Sequence, residues 1–245
     1  MRLDYYLPKR RFQGFLSTGF VLFLFAVLLS SCLKSKDDDY VPKYADLLAV
    51  NADPNAQEGV YFWYNGTAAQ TAVPYSNNSS YYKGLVEGAS IAFFNASNTN
   101  TAITGGRVPM GDKSYSVYVA GKGDSSFVVE DKMITPAAGN AAIRFVNASK
   151  SAGAVDVVFS TSTEKLTNVK FHGAEGQPNP EFKGYTAGAT EVNVYETGTT
   201  TNPLATYTFT PVQGSSYSLY LRGVKNGTGT KVLGIGKVDH TEAAK

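Results

Sequence analysis

One cysteine and two histidines hold most of the nucleophilic and metal-ligating capacity of this 245-residue chain, and none of them has a partner at useful spacing. His172 sits in Phe171-His172-Gly173, a loop-like context, and His240 lies near the end of the sequence. Zinc sites draw on clustered His and Cys, so no metal and no cofactor is expected. A Ser-His-Asp arrangement could assemble across strands, but the Gly-x-Ser-x-Gly turn that presents a serine nucleophile is absent. Gly227-Thr228-Gly229 and Gly234-Ile235-Gly236 lack the lysine and the helix of a phosphate loop. Glu130 and Asp131 are adjacent, so on a strand they point to opposite faces and cannot share a proton. Arg144 and Asp156 are opposed charges embedded in apolar stretches. They read as a partly buried structural ion pair, with a ligand contact as the alternative. The chain does not read as an enzyme.

Cys32 has a different chemistry. It follows Leu29-Ser30-Ser31 at the end of an apolar run over 20–29, with Lys9-Arg10-Arg11 ahead of that run. A basic region, a short apolar region and small residues before a cut are the parts of a secretory signal peptide. A spanning helix needs roughly 20 apolar residues, and this run is shorter and interrupted upstream by Ser17, Thr18 and Gly19. The order of these parts resembles the lipobox of bacterial lipoproteins. The resemblance implies diacylglycerol on the Cys32 thiol, cleavage before it, and membrane lipid as a partner. Residues 1–31 are then a signal peptide and 32–44 an acylated tether. Within that tether, Lys36, Asp37, Asp38 and Asp39 resemble the lysine-plus-acidic export signal of Bacteroidetes surface lipoproteins. This implies the outer membrane, facing the cell exterior, with inner-leaflet retention as the alternative.

Loss of residues 1–31 removes four of the 22 basic residues and one of the 20 acidic ones, leaving a nearly neutral remainder. Nucleic-acid binding needs a basic stripe to neutralise phosphates, and none appears. With Cys32 acylated, no thiol remains for a disulfide. The 43% hydrophobic content is enough to build packed cores without one.

The elements that must position any site come in two copies. Val50-Asn51-Ala52 recurs as Val146-Asn147-Ala148, and Tyr82-Lys83-Gly84 as Phe182-Lys183-Gly184. Tyr115-Ser116-Val117-Tyr118-Val119 recurs as Tyr217-Ser218-Leu219-Tyr220-Leu221. The offsets are 96, 100 and 102, as two homologous units with small loop insertions would give. Alternation of period two, rich in Val, Tyr and Phe, marks strands with one buried and one wet face. On this pattern Ser116, Tyr118, Ser218 and Tyr220 face solvent. Turn clusters separate the strands, and no helical stripe follows Cys32. The expected fold is all-β, two tandem immunoglobulin-like antiparallel β-sandwiches over 45–137 and 138–240, with a tail at 241–245. Tyr115 and Tyr217 each open a late strand after a turn, where a tyrosine hydroxyl bonds back to the preceding backbone.

Ala142-Ile143-Arg144-Phe145-Val146-Asn147-Ala148-Ser149, followed by Ala154-Val155-Asp156-Val157, resembles the opening of the domain family DUF4397. The resemblance implies a fold over most of 45–240 and no established activity. Leu48 and Tyr61 stand where the first copy would carry the Arg144 and Asp156 equivalents, so a binding role for those polar residues would survive only in the second copy.

Aromatics are the one surplus. Tyr61-Phe62-Trp63-Tyr64 puts two rings on each face of a strand, with Tyr81 and Tyr82 nearby in sequence. Tyr61, Trp63, Tyr81 and Tyr82 form a candidate ligand patch, since planar rings give low-entropy contact area for proteins or sugars. The function read from the chain is non-catalytic: a lipid-anchored protein of two modules for binding, adhesion or spacing at the cell surface. The alternative is a glycan-binding accessory lipoprotein of a polysaccharide uptake system.

Overall fold

The computed structural model describes residues 41–108 and 111–240. Cys32 and the Lys36 to Asp39 segment lie outside them. Eight strands build the first module: β1 (Tyr44–Asn51), β2 (Val60–Tyr64), β3 (Thr67–Ala68), β4 (Tyr82–Leu85), β5 (Ser90–Asn95), β6 (Asn98–Arg107), β7 (Lys113–Val119) and β8 (Phe127–Glu130). Eight more build the second: β9 (Asn140–Asn147), β10 (Val155–Phe159), β11 (Lys165–Val169), β12 (Lys183–Thr186), β13 (Thr190–Glu196), β14 (Ala205–Phe209), β15 (Ser216–Arg222) and β16 (Gly234–Asp239). Among the described residues there is no α-helix.

The sheets run β4-β1-β7-β8 and β3-β2-β5-β6 in the first module, and β12-β9-β15-β16 and β11-β10-β13-β14 in the second. Every strand of the second module is the strand eight places earlier in the first. Pairing is antiparallel except in β1 with β7 and β9 with β15, which run parallel. Even that exception is repeated in register, Leu47 opposite Tyr115 and Ile143 opposite Tyr217. The fold is two β-sandwiches of antiparallel-rich sheets.

Each sandwich has its own core. Leu47, Ala49, Phe62, Phe93, Tyr115 and Val117 fill the first, and Ile143, Phe145, Val157, Phe159, Val194, Leu219 and Leu221 fill the second. A third core lies between the modules. Leu48, Val50 and Ala52 of the β1 side, with Tyr118 and Val129, meet Val146, Ala148, Tyr220 and Val238. The inner sheets β4-β1-β7-β8 and β12-β9-β15-β16 are therefore packed back to back, and the described residues from 42 to 240 form one compact unit of four layers. This corrects the wet faces expected of β7 and β15. Ser116, Tyr118, Ser218 and Tyr220 are each 0% exposed. Serine and tyrosine suit a strand's solvent face and a hydrogen-bonded interface equally, so period two shows which residues share a face but not what covers it.

Candidate functional site

The most reactive-looking groups of the chain meet between the modules. Arg144 projects from β9 toward the first module and forms an ion pair with Asp131, which lies just past β8; both side chains are fully buried. The Arg144 Nη1 donates to the Glu130 carbonyl at 3.0 Å, and its Nε donates to Ser218 Oγ at 2.6 Å. Its guanidinium also lies 4.6 Å from the centre of the Phe182 ring. Ser116 Oγ donates to the Asp131 carboxylate at 3.0 Å, and the Tyr81 hydroxyl donates to Asp131 Oδ2 at 2.6 Å. His240 closes the ring, with Nδ1 2.7 Å from the Tyr81 hydroxyl and Nε2 2.7 Å from Ser218 Oγ.

The donors fix one tautomer. Tyr81 gives its proton to Asp131, so its oxygen must accept from His240 Nδ1–H. His240 Nε2 then accepts from Ser218, whose oxygen accepts from Arg144 Nε. Donation runs one way from Arg144 through Ser218, His240 and Tyr81 to Asp131, and the ion pair joins the two ends. Burial holds the His240 imidazole neutral by lowering its pKa to about 4, against a smaller upward pull from Asp131. The Tyr81 phenol is pushed far above its ordinary range by burial first and by the Asp131 charge second.

Ser218 and His240 have the spacing of a nucleophile and its base, but both are 0% exposed. The serine oxygen is already occupied by Arg144, and Asp131 reaches the imidazole only through Tyr81. No substrate carbonyl can approach. The constellation is a clasp between modules, and three of its members, Ser116, Ser218 and Asp131, were not singled out as one group by the sequence. The signal present was Ser116 and Ser218, equivalent polar positions inside apolar strands.

Arg144 and Asp156 do not pair, a correction to the sequence reading. They sit on opposite sides of the second sandwich, Arg144 facing the first module and Asp156 the outer face of β10. Asp156 instead binds Lys165 at 2.8 Å and accepts the Asn168 and Gly198 backbone N–H at 2.8 and 3.0 Å. The Lys165 contact leads in holding its carboxyl at about 2, and the two amides add to it. Tyr217 packs in the second core, and its hydroxyl accepts the Val212 N–H at 3.3 Å. Tyr115 packs in the first core.

The four aromatics of the candidate patch are not together. Tyr61 and Trp63 do share the outer face of β2, where Tyr61 is opposite Phe94 and the Trp63 ring lies 4.9 Å from Phe94. Tyr82 instead packs edge-on against Phe62 at 5.7 Å, within the first sandwich. Tyr81 belongs to the clasp. Neighbours in sequence on β4 and its approach are thus split between two cores and lost to a surface patch.

His172 lies in the loop after β11, where its ring meets Phe127 edge-on at 5.0 Å and burial lowers its pKa. A cleft of about 550 Å³ opens beside it on the second module, lined in part by residues 143–147, Lys165, Asn168 and Pro178. Among the described residues no group of three His, Cys, Asp or Glu side chains could hold a metal, and no helix is long and apolar enough to cross a membrane.

A search of the curated proteins finds no match for this chain. Residues 45–158 match the model of DUF4397, a domain of unknown function. The matched stretch begins in β1 and ends in β10, so it takes in the whole first module together with the Arg144 to Asp156 opening of the second. Over these residues the chain is similar to DUF4397.

Proposed function

We propose that this chain is a non-catalytic, lipid-anchored protein of the cell envelope, whose two modules act as one body for binding, adhesion or spacing at the outer surface. The observation that carries the non-catalytic reading is the clasp: its serine–histidine–carboxylate grouping is sealed from solvent and spent on holding the modules together. The anchor and address rest on the Cys32 context and the acidic run after it. Metabolic palmitate labelling tests the anchor, with label expected on the wild type and lost in Cys32→Ala. Label retained on the variant overturns it. Protease shaving of intact cells tests the address: replacing Asp37, Asp38 and Asp39 by Ala is expected to protect the protein, and unchanged shaving would make that run a spacer.

A second reading, glycan binding in a polysaccharide uptake system, is supported by Tyr61, Trp63 and Phe94 on the outer face of the first sandwich. A glycan array separates the two readings, since a defined glycan that binds the wild type and not Trp63→Ala favours the second.

A further inference from the structure

The two modules differ at one sheet edge, and the difference has a source in the sequence. In the first module the segment after β3 zips along β1. Ser76 N–H donates to Asn51 O at 2.9 Å, Asn51 N–H to Asn77 O at 3.0 Å, and Ser79 N–H to Ala49 O at 2.9 Å. Ser79 Oγ accepts the Ala49 N–H at 2.9 Å. In the second module the offset between copies is 96 at His172, while the strand register, Leu47 opposite Tyr82 and Ile143 opposite Lys183, makes it 101 at the start of β12. This connection therefore carries five extra residues and includes Pro178 and Pro180. Proline has no N–H to give a ladder. Only the first bond survives, His172 N–H to Asn147 O at 2.9 Å. Among the described residues no loop backbone reaches the Phe145 N–H and carbonyl or the Asn147 N–H, which point to the same side as that bond.

These groups border the cleft of about 550 Å³. Five consecutive residues, 143–147, line it. Side chains of a strand alternate between faces, so only the backbone edge can present all five. Phe145 is 3% exposed and Asn147 1%, and buried backbone polar groups are paired in nearly all proteins. The volume falls in the range of roughly 300–1,000 Å³ usual for ligand sites.

We infer that this cleft binds an extended peptide segment of a partner protein, added as a short strand along the β9 edge. The first module shows what such an edge takes: a polypeptide, extended, with a small hydroxyl residue opposite the Ala49 position, which is Phe145 in the second module. A sugar does not repeat donors and acceptors at the strand rise of about 3.3 Å per residue, whereas strand addition uses that spacing for affinity. The inference rests on the binding reading above and names a partner class for it.

The test uses the full chain in detergent and a capped peptide Asn-Asn-Ser-Ser-Tyr, the sequence of residues 77–81. The peptide is expected to shift the Phe145 and Asn147 amide resonances on saturable titration. N-methylation of its central serine, the donor to the Phe145 carbonyl, is expected to weaken binding tenfold or more. Deleting residues 176–180 restores the first module's loop length and is expected to abolish binding while melting stays cooperative. If that variant does not fold, the N-methyl comparison decides alone. No shift at Phe145 and Asn147, equal binding of the methylated peptide, or shifts confined to the Trp63 face each overturns the inference. Such a failure in a chain that still takes palmitate and is shaved from intact cells removes the peptide partner and leaves the anchored role standing.

Discussion

Asn51 and Asn147 make the same three hydrogen bonds in two different sandwiches. The Asn51 amide donates to the Ala56 and Val73 carbonyls at 2.9 and 3.0 Å, and its oxygen accepts the Asp53 N–H at 3.1 Å. The Asn147 amide donates to the Gly153 and Val169 carbonyls at 2.8 and 3.1 Å and accepts the Ser149 N–H at 3.1 Å. Each staples the end of its module's first strand to two neighbouring segments, which gives the repeated Val-Asn-Ala a structural reason. Replacing either by Ala removes three hydrogen bonds and strands one buried N–H, that of Asp53 or Ser149, while the Ala56 and Val73 carbonyls keep the Gly59 and Val60 N–H. The expected loss is about 2–3 kcal/mol in denaturant melts, and a loss below about 0.5 kcal/mol would deny the staple.

The Arg144–Asp131 pair offers a sharper test of the interface. Arg144→Leu or Asp131→Leu alone leaves one buried charge unpaired, an expected cost of about 3–5 kcal/mol. The double variant is expected to recover much of that loss, because an apolar pair of similar volume replaces a desolvated one. A double-mutant cycle measures the coupling, and strictly additive losses would mean the two side chains do not meet.

Acid should unlock the molecule in two steps. His240 is neutral in the folded state with its pKa lowered to about 4 from 6.5. A lowered histidine pKa means the unfolded chain takes up the proton first. Its contribution is whole above about pH 6.5 and is lost as pH falls toward 4, on the order of 3 kcal/mol. Asp156, lowered to about 2 from 3.8, contributes above about pH 4 and loses that contribution as pH falls toward 2. Urea melts from pH 8 to 2 are expected to show both windows, and His240→Gln to flatten only the upper one.

The two tyrosine hydroxyls of β15 separate in the same way. Tyr217→Phe removes the bond from Val212 and is expected to cost about 1 kcal/mol. The Tyr220 hydroxyl is buried with no hydrogen-bond partner, so Tyr220→Phe is expected to be neutral or stabilising by up to about 1 kcal/mol. Equal losses at the two positions in thermal melts would contradict this geometry.

Much of the architecture was legible because period two and the 96-to-102 offsets are written directly into residues such as Val117, Val119, Leu219 and Leu221. The clasp was not legible. Tyr81, Ser116, Asp131, Arg144, Ser218 and His240 come from six segments. Tyr81, Ser116 and Asp131 meet within the first module, and Arg144, Ser218 and His240 within the second. Only the back-to-back packing of two sheets joins the halves, through Arg144 to Asp131 and Tyr81 to His240. Arg144 was read against Asp156 because both interrupt apolar runs, yet each run alternates, and the interruptions fall on opposite sides of one sandwich. Trp63 and Tyr61 kept their outward face, while Tyr81 and Tyr82 lost theirs to two different interiors.

Tyr118 and Tyr220 hold the same place in the two copies, and their rings touch edge to face with centres 5.6 Å apart. A residue that meets its own counterpart marks a two-fold axis, so the join between the modules is an isologous interface of the kind that homodimers use. The covalent link makes that pairing permanent and frees the halves to diverge across it. Leu48 on one side and Arg144 on the other show the divergence, since two arginines in equivalent places would demand two buried carboxylates where the chain supplies Asp131. The self-complementary surface is thus asymmetric in its chemistry, with a polar lock that fits in one orientation.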